Sequence, residues 1–208
     1  MGSAQRRQRE KESLREKILA TAREMFASEG VEAVSMRKIA GRIEYSATAI
    51  YQYFPDKDAL LREICERDFA ALAEAAVRVA READPLARLR KLGRAYVEFA
   101  LEHPSSYRLM FMTPKGAGQK ASLEGRGVPE RDAYAMLRSV VQQCIDEDRF
   151  RPTSSDADLV AQTLWAAVHG LSALAIVMSE TASGPIRWRP IKTRLNHLLD
   201  TLMRGIAR

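Results

Sequence analysis

The apolar residues of this chain recur three to four positions apart along its length, and no run alternates them with polar ones as a strand would. That spacing stacks side chains on one stripe of a helix with 3.6 residues per turn, whereas a half-buried strand needs a period of two. Residues 10–28 set the pattern, with Leu14, Ile18, Leu19, Ala22, Met25 and Phe26 on one face. The expectation is an all-α protein of about nine helices.

Capping and breaking residues divide the pattern. Gly30 ends the first helix, and Ser35 caps a short one, Met36 to Arg42. A tight connection, Ile43-Glu44-Tyr45, leads to Ser46, which caps a second short helix from Ala47 to Tyr53, stopped by Pro55. Asp56 caps a long helix over 57–83, and Asp84-Pro85 opens the next, which breaks at His103-Pro104. A short apolar helix spans Tyr107 to Met112. Residues 113–128, rich in glycine, form the best candidate for a mobile loop. Pro129 then starts a helix to about Asp148, another runs from Asp156 to about Glu180, Ser183-Gly184-Pro185 intervenes, and the last covers 187–206. Three regions are expected: a basic disordered tail (1–9), a three-helix head (10–56) and a larger helical bundle (57–208).

Hydrophobic residues at 46% and charged ones at 29% exclude wholesale disorder. No stretch approaches the roughly 20 uninterrupted apolar residues of a membrane span, since Leu164 to Met178 is broken by His169, Gly170 and Ser172. The basic start precedes no apolar signal region, and Arg6 stands where a myristoylation motif needs Ser or Thr. Cys65 and Cys144 lie too far apart for a zinc spacing and read as buried thiols in a reducing compartment, which suits a cytoplasmic protein. The net charge is +6, and residues 1–57 hold 11 Lys/Arg against 8 Asp/Glu, which points the head towards a polyanion. The run Arg6-Arg7-Gln8-Arg9 reads as a solvated tail or an arm that grazes DNA.

Ser35 to Tyr53 follows the helix-turn-helix plan, in which a supporting helix holds a second whose N-terminal end reads a major groove. Short side chains such as Ser46, Ala47 and Thr48 let a backbone approach base edges. The following segment, Tyr51-Gln52-Tyr53-Phe54-Pro55-Asp56-Lys57-Asp58-Ala59-Leu60-Leu61, resembles the Y-x-Y-F-x-x-K-x-x-L-L signature of the tetracycline-repressor (TetR) family. Phe26, Gly30, Ser35-Met36-Arg37-Lys38-Ile39-Ala40 and Tyr45-Ser46 stand in that family's order, so the resemblance covers about residues 10–62. Further on, Trp165-Ala166-Ala167-Val168-His169-Gly170 resembles the W-x-x-x-H-G signature of one branch of the family, and His103-Pro104 with Tyr107, Leu109, Met110 and Phe111 is similar to the same branch.

The resemblance implies a homodimeric, nucleoid-associated transcriptional regulator, usually a repressor, whose helix-turn-helix domain (10–56) binds a palindromic double-stranded DNA operator and whose effector-binding and dimerisation domain (57–208) releases it when a small effector binds. It implies base or adjacent phosphate contacts from Tyr45, Ser46, Ala47 and Thr48, a base or phosphate contact from Arg37, and phosphate contacts from Ser35, Tyr51, Tyr53 and Lys57. Two positions depart from the pattern. Glu44 replaces a usual glycine in the turn, so the turn is either strained or shifted, and Thr48-Ala49 replaces a usual Gly-Thr.

The effector region offers Tyr96, Phe99, Tyr107, Met110, Phe111, Trp165 and His169 as pocket candidates, with Tyr96, Tyr107 and His169 as polar anchors. Such a wall suits a largely apolar ligand. The last two helices are apolar over wide faces, which suggests a two-fold four-helix bundle between two copies. No cofactor or metal site is expected: the Glu-x-x-His pairs of a di-iron bundle do not occur, and Gly116 to Ser122 lacks the spacing of a phosphate loop. An enzyme is therefore not expected. The alternative function is a helical ligand-binding or interaction module without specific DNA binding.

Overall fold

The computed structural model describes residues 3–113, 125–178 and 186–208. Within them are nine α-helices and no strand: α1 (Ser3–Glu29), α2 (Met36–Arg42), α3 (Ala47–Tyr51), α4 (Lys57–Val79), α5 (Pro85–Glu102), α6 (Pro104–Tyr107), α7 (Ala133–Asp146), α8 (Ala157–Met178) and α9 (Ile191–Ile206). A π turn, Arg108–Met112, extends α6. The all-α expectation holds. The chain forms two compact units, Met1–Asp68 with Ser105–Ser122, and Phe69–Pro104 with Leu123–Arg208. The division between them falls inside α4.

In the first unit, Ile18, Leu19, Ala22 and Phe26 of α1 bury against Ile39 and Ala40 of α2, Ile50 of α3, Phe54, and Leu60, Leu61 and Ile64 of α4. Leu109 of the π turn joins this core. Charges then fix α1 on α4. Arg15 grips Glu63 with both forks of its guanidinium, and its Nη2 lies 2.6 Å from Oε2. This contact draws the Glu63 carboxyl below its ordinary range and raises Arg15. Arg67 bridges Glu16 at 2.6 Å and Glu63 at 2.9 Å. Arg23 pairs with Asp68 at 2.9 Å, and Asp68 is only 5% exposed.

In the second unit, α5 packs on α7, α8 and α9, and α8 also meets α7 and α9. Leu89, Leu92, Val140, Val141, Phe150, Ala161 and Leu164 form one core cluster, and Val97, Val168, Leu195 and Leu199 another. Gly93 in α5 permits a close approach, since a Cβ there would come within 2.7 Å of Leu199 Cδ2. Cys144 is fully buried, and burial pushes its thiol up to about 12, which suits an inert packing group. Cys65 is also buried and free.

Several boundaries differ from the expectations. Residues 3–9, expected within a disordered tail, are helical, because Gln5 to Glu10 contains only good helix formers and Arg6 pairs with Glu10 at 3.3 Å. α7 starts at Ala133 and not at Pro129, because the Asp132 carboxylate accepts from Tyr134 N–H at 2.9 Å and Ala135 N–H at 3.2 Å. The expected helix over 107–112 divides into α6, begun by Pro104, and the π turn. α4 ends at Val79, and α9 starts after Pro190. Most of the 113–128 loop and Ser183-Gly184-Pro185 lie outside the described residues. By length and composition alone, α8 could cross a bilayer, contrary to the expectation that no stretch came close. His169, Gly170 and Ser172 interrupt the apolar run without making it polar, and packing on α5, α7 and α9 buries one side of the helix.

Removing one partner of a buried ion pair leaves the other charge uncompensated. Asp68→Ala is therefore expected to cost about 3 kcal/mol, measured as a lower urea midpoint for the first unit, whereas Arg6→Ala, in an exposed pair, should cost almost nothing.

Candidate functional site

The Ser35 hydroxyl accepts from Lys38 N–H at 3.3 Å and starts α2, and the Ser46 hydroxyl accepts from Ala49 N–H at 3.2 Å and starts α3. Both caps leave the hydroxyl proton free to donate. Between them, Ile43 ends α2 and Glu44 takes φ 63°. Tyr45 N–H reaches Ala40 O at 2.9 Å, and Glu44 N–H reaches Gly41 O at 3.2 Å. This is a Schellman ending with glutamate in the left-handed position that normally holds glycine. The turn is kept, not shifted, and Glu44 carries its strain.

The turn lays out an exposed surface. Arg37, Tyr45, Ser46, Thr48 and Tyr51 are exposed together with Ser35, while Ala47 and Tyr53 are half-buried against the core. Tyr45 is 45% exposed and Tyr51 50%, values unusual for tyrosines next to a core. Lys17 Nζ lies 5.7 Å from the Tyr45 ring centroid and donates to Ile43 O at 3.3 Å, so α1 steadies the turn. Lys57 is half-buried, and its ammonium donates to Val31 O at 2.8 Å, which occupies one of its three donors. Gln52, exposed one turn beyond Thr48, was not among the residues expected from sequence. Its signal was available: it fills the variable position of the Y-x-Y pattern with a side chain that both donates and accepts. Lys17 gave no such signal, because its reach to the turn depends on how α1 packs.

The seven effector candidates divide between the units. In the second, Trp165 Nε1 donates to Tyr96 Oη at 3.1 Å, and Tyr96 Oη lies 3.1 Å from His169 Nδ1. Tyr134, not foreseen, sets its ring 5.9 Å from Trp165. Burial lowers the His169 pKa, so the trio is neutral. Phe99 is buried and stacks near His103 at 5.0 Å. In the first unit, Tyr107 is fully buried and its ring sits 5.0 Å from Phe111, with Met110 buried beside them in sequence. No group of three or more His, Cys, Asp or Glu capable of holding a metal occurs among the described residues.

Two serine-capped helices joined by a tight left-handed turn, with the second helix exposed at its start, make a helix-turn-helix reading head. Residues 18–64 match the family model of bacterial regulatory proteins of the tetR family, and residues 89–180 match a tetracyclin repressor-like C-terminal domain. The chain belongs to the TetR family. It is similar over 94% of its length to a Rhodococcus sp. RHA1 protein of unknown function, at 27% identity, TM-score 0.74 and 96% coverage of that chain. It shares the fold of the TetR-family regulator PfmR of Thermus thermophilus, at 24% identity, TM-score 0.69 and coverage of 92% and 99%. It shares it also with the ketosteroid transcriptional regulator KstR2 of Mycobacterium tuberculosis, at 24% identity, TM-score 0.68 and coverage of 93% and 95%. The curated proteins yield no match. Members of this family are transcription regulators and not enzymes.

Two changes check this geometry. Glu44→Gly relieves the left-handed strain and is expected to stabilise the first unit by about 1 kcal/mol in urea unfolding. The lowered His169 pKa means that the unfolded chain takes up its proton first as pH falls below about 6.5. Wild-type protein should thus lose stability between that pH and the lower folded value. His169→Gln should show a flatter fall in Tm from pH 7.5 to 5, checked by thermal melts in matched buffers.

Proposed function

We propose that this chain is a homodimeric cytoplasmic repressor that binds a palindromic operator and leaves it when a small, largely apolar effector binds. The observation that carries the reading is the exposed surface of Arg37, Tyr45, Ser46, Thr48 and Tyr51 around a kept helix-turn-helix turn. Tyr45, Ser46, Ala47 and Thr48 approach base edges or the nearest phosphates, with Arg37 beside them. Ser35, Tyr51, Tyr53 and Lys57 hold the phosphate backbone through hydroxyl and ammonium donors. Lys57 does so with the donors that Val31 leaves free.

The exposed face of α8 supports dimerisation. Leu159, Ala166, Leu174 and Val177 are exposed along it, and a Cβ at Gly170 would meet open space. An apolar helix face of that length needs a cover, and a second α8 is a self-complementary one. α9 would join α8 in the interface, and it turns Lys192, His197, Thr201 and Arg204 outward. The effector is placed against Tyr96, Trp165 and His169, whose neutral polar atoms suit one hydroxyl or keto group on an apolar body. Phe99 is buried in the same unit, whereas Tyr107, Met110 and Phe111 belong to the first unit. The mechanism is a population shift: α4 runs from one unit into the other, and an effector that favours a different spacing of the two heads lowers DNA affinity by its differential binding energy.

Selection from a random duplex pool at about 150 mM salt tests the reading. A two-fold palindrome is the expected product, and absence of enrichment at low and moderate salt alike would refute it. With the selected site in hand, Tyr45→Ala and Thr48→Ala should each cost about 1–3 kcal/mol and relax sequence preference. Lys57→Ala should weaken all duplexes alike and reduce the salt slope by about one.

A further inference from the structure

The second unit holds a concave pocket of about 270 Å³ where the end of α9 meets the start of α5. Its walls include Arg90, Arg151, Arg204 and Arg208, and its floor Leu86 and Met203. The surrounding backbone is tied down: Arg151 N–H donates to Ile206 O at 2.8 Å, and Arg208 N–H to Arg149 O at 3.0 Å. The guanidiniums are oriented as well. Arg151 Nε donates to Ala207 O at 3.0 Å, Arg204 Nε to Asp200 O at 3.2 Å, and Arg208 Nε to Phe150 O at 2.9 Å. Two carboxylates answer four cations: Asp200 pairs with Arg90, and Asp148 with Arg208. Arg151 and Arg204 have no carboxylate within 4 Å among the described residues, so their terminal amino groups keep their charge and donors.

We infer that this pocket binds a phosphate monoester with a short apolar substituent. Arg151 and Arg204, each held through Nε and without a carboxylate within 4 Å among the described residues, offer charge and terminal N–H donors to the phosphate oxygens. Leu86 and Met203 take the alkyl part. A duplex backbone would call instead for cations spread along an open face, without an apolar floor. The pocket shares no residue with the Tyr96–Trp165–His169 trio, so the inference does not rest on the proposed effector site.

The test is calorimetric titration of the full chain with n-butyl phosphate at constant ionic strength. Saturable binding at one site per chain is expected. Arg204→Gln, whose Nε bonds only within its own helix, and the double variant Arg151→Gln/Arg204→Gln should each weaken it by about tenfold or more, the loss of one or more charge-assisted hydrogen bonds. Unchanged melting curves for Arg204→Gln establish that the fold survives. Absence of saturable binding to the wild type, or a loss under about threefold in a folded double variant, overturns the inference. So does a variant that loses affinity for duplex DNA while the wild type never binds butyl phosphate, since the arginines then serve nucleic acid.

Discussion

The presentation of α3 depends on one backbone turn, at Glu44. A left-handed φ costs an ordinary residue about 1–2 kcal/mol, and Glu44 accepts that cost at φ 63°. What holds it there is the structure on either side. Ile39, Ile43 and Ile50 are all buried, and a turn opened at Glu44 would expose them. The two Schellman hydrogen bonds satisfy carbonyls that α2 would otherwise leave open. Burial of three isoleucines outweighs the strain several-fold at about 1.5–3 kcal/mol each. The same arrangement leaves an exposed carboxylate beside Tyr45 and Ser46, on the surface proposed to meet a polyanion. Any affinity the protein has for DNA is reached despite that charge.

Charge counting misjudges such a surface in both directions. Of the cations in residues 1–57, Arg15 and Arg23 are spent on α4, and Lys38 and Arg42 lie 3.6 and 4.0 Å from Glu29. Lys17 and Lys57 each give a donor to a main-chain carbonyl. These groups work first as clamps. Arg15 does so twice, since its guanidinium also lies 4.9 Å from the Phe54 ring centroid and ties the segment after α3 to α1. Arg37 is an exposed cation of α2 with no such pairing described, which makes it better suited to a phosphate or base than a net charge would reveal.

What was legible in the sequence is what local chemistry decides. Ser35, Ser46, Asp84 and Pro85 begin their helices because capping needs only a side chain and the next three amides. The apolar stripe of α1 named its core residues correctly because periodicity alone decides which side of a helix is buried. Choices between competing local signals were not legible. Pro129 and Asp132 both open helices, and the aspartate prevails by satisfying two amides. The helical continuation through Gln5 to Arg9 was hidden by charge, which reads as tail although those residue types favour helix. Pairings across long sequence separation, such as Arg23 with Asp68 or Tyr96 with Trp165 and His169, follow from packing that no spacing rule encodes.

The two ligand sites proposed for the second unit have opposite chemistry. The Tyr96–Trp165–His169 trio is neutral, and Tyr96 Oη links the other two by hydrogen bonds. An anion placed there would lose hydration that neutral donors repay only in part. The arginine pocket reverses the balance: its cations remain partly hydrated and are short of carboxylates, so an uncharged apolar molecule would bury guanidinium groups for little return. Each site therefore rejects what the other accepts. Selectivity between them comes from the unfavourable term at each, the uncompensated desolvation of the wrong ligand, as much as from attraction for the right one.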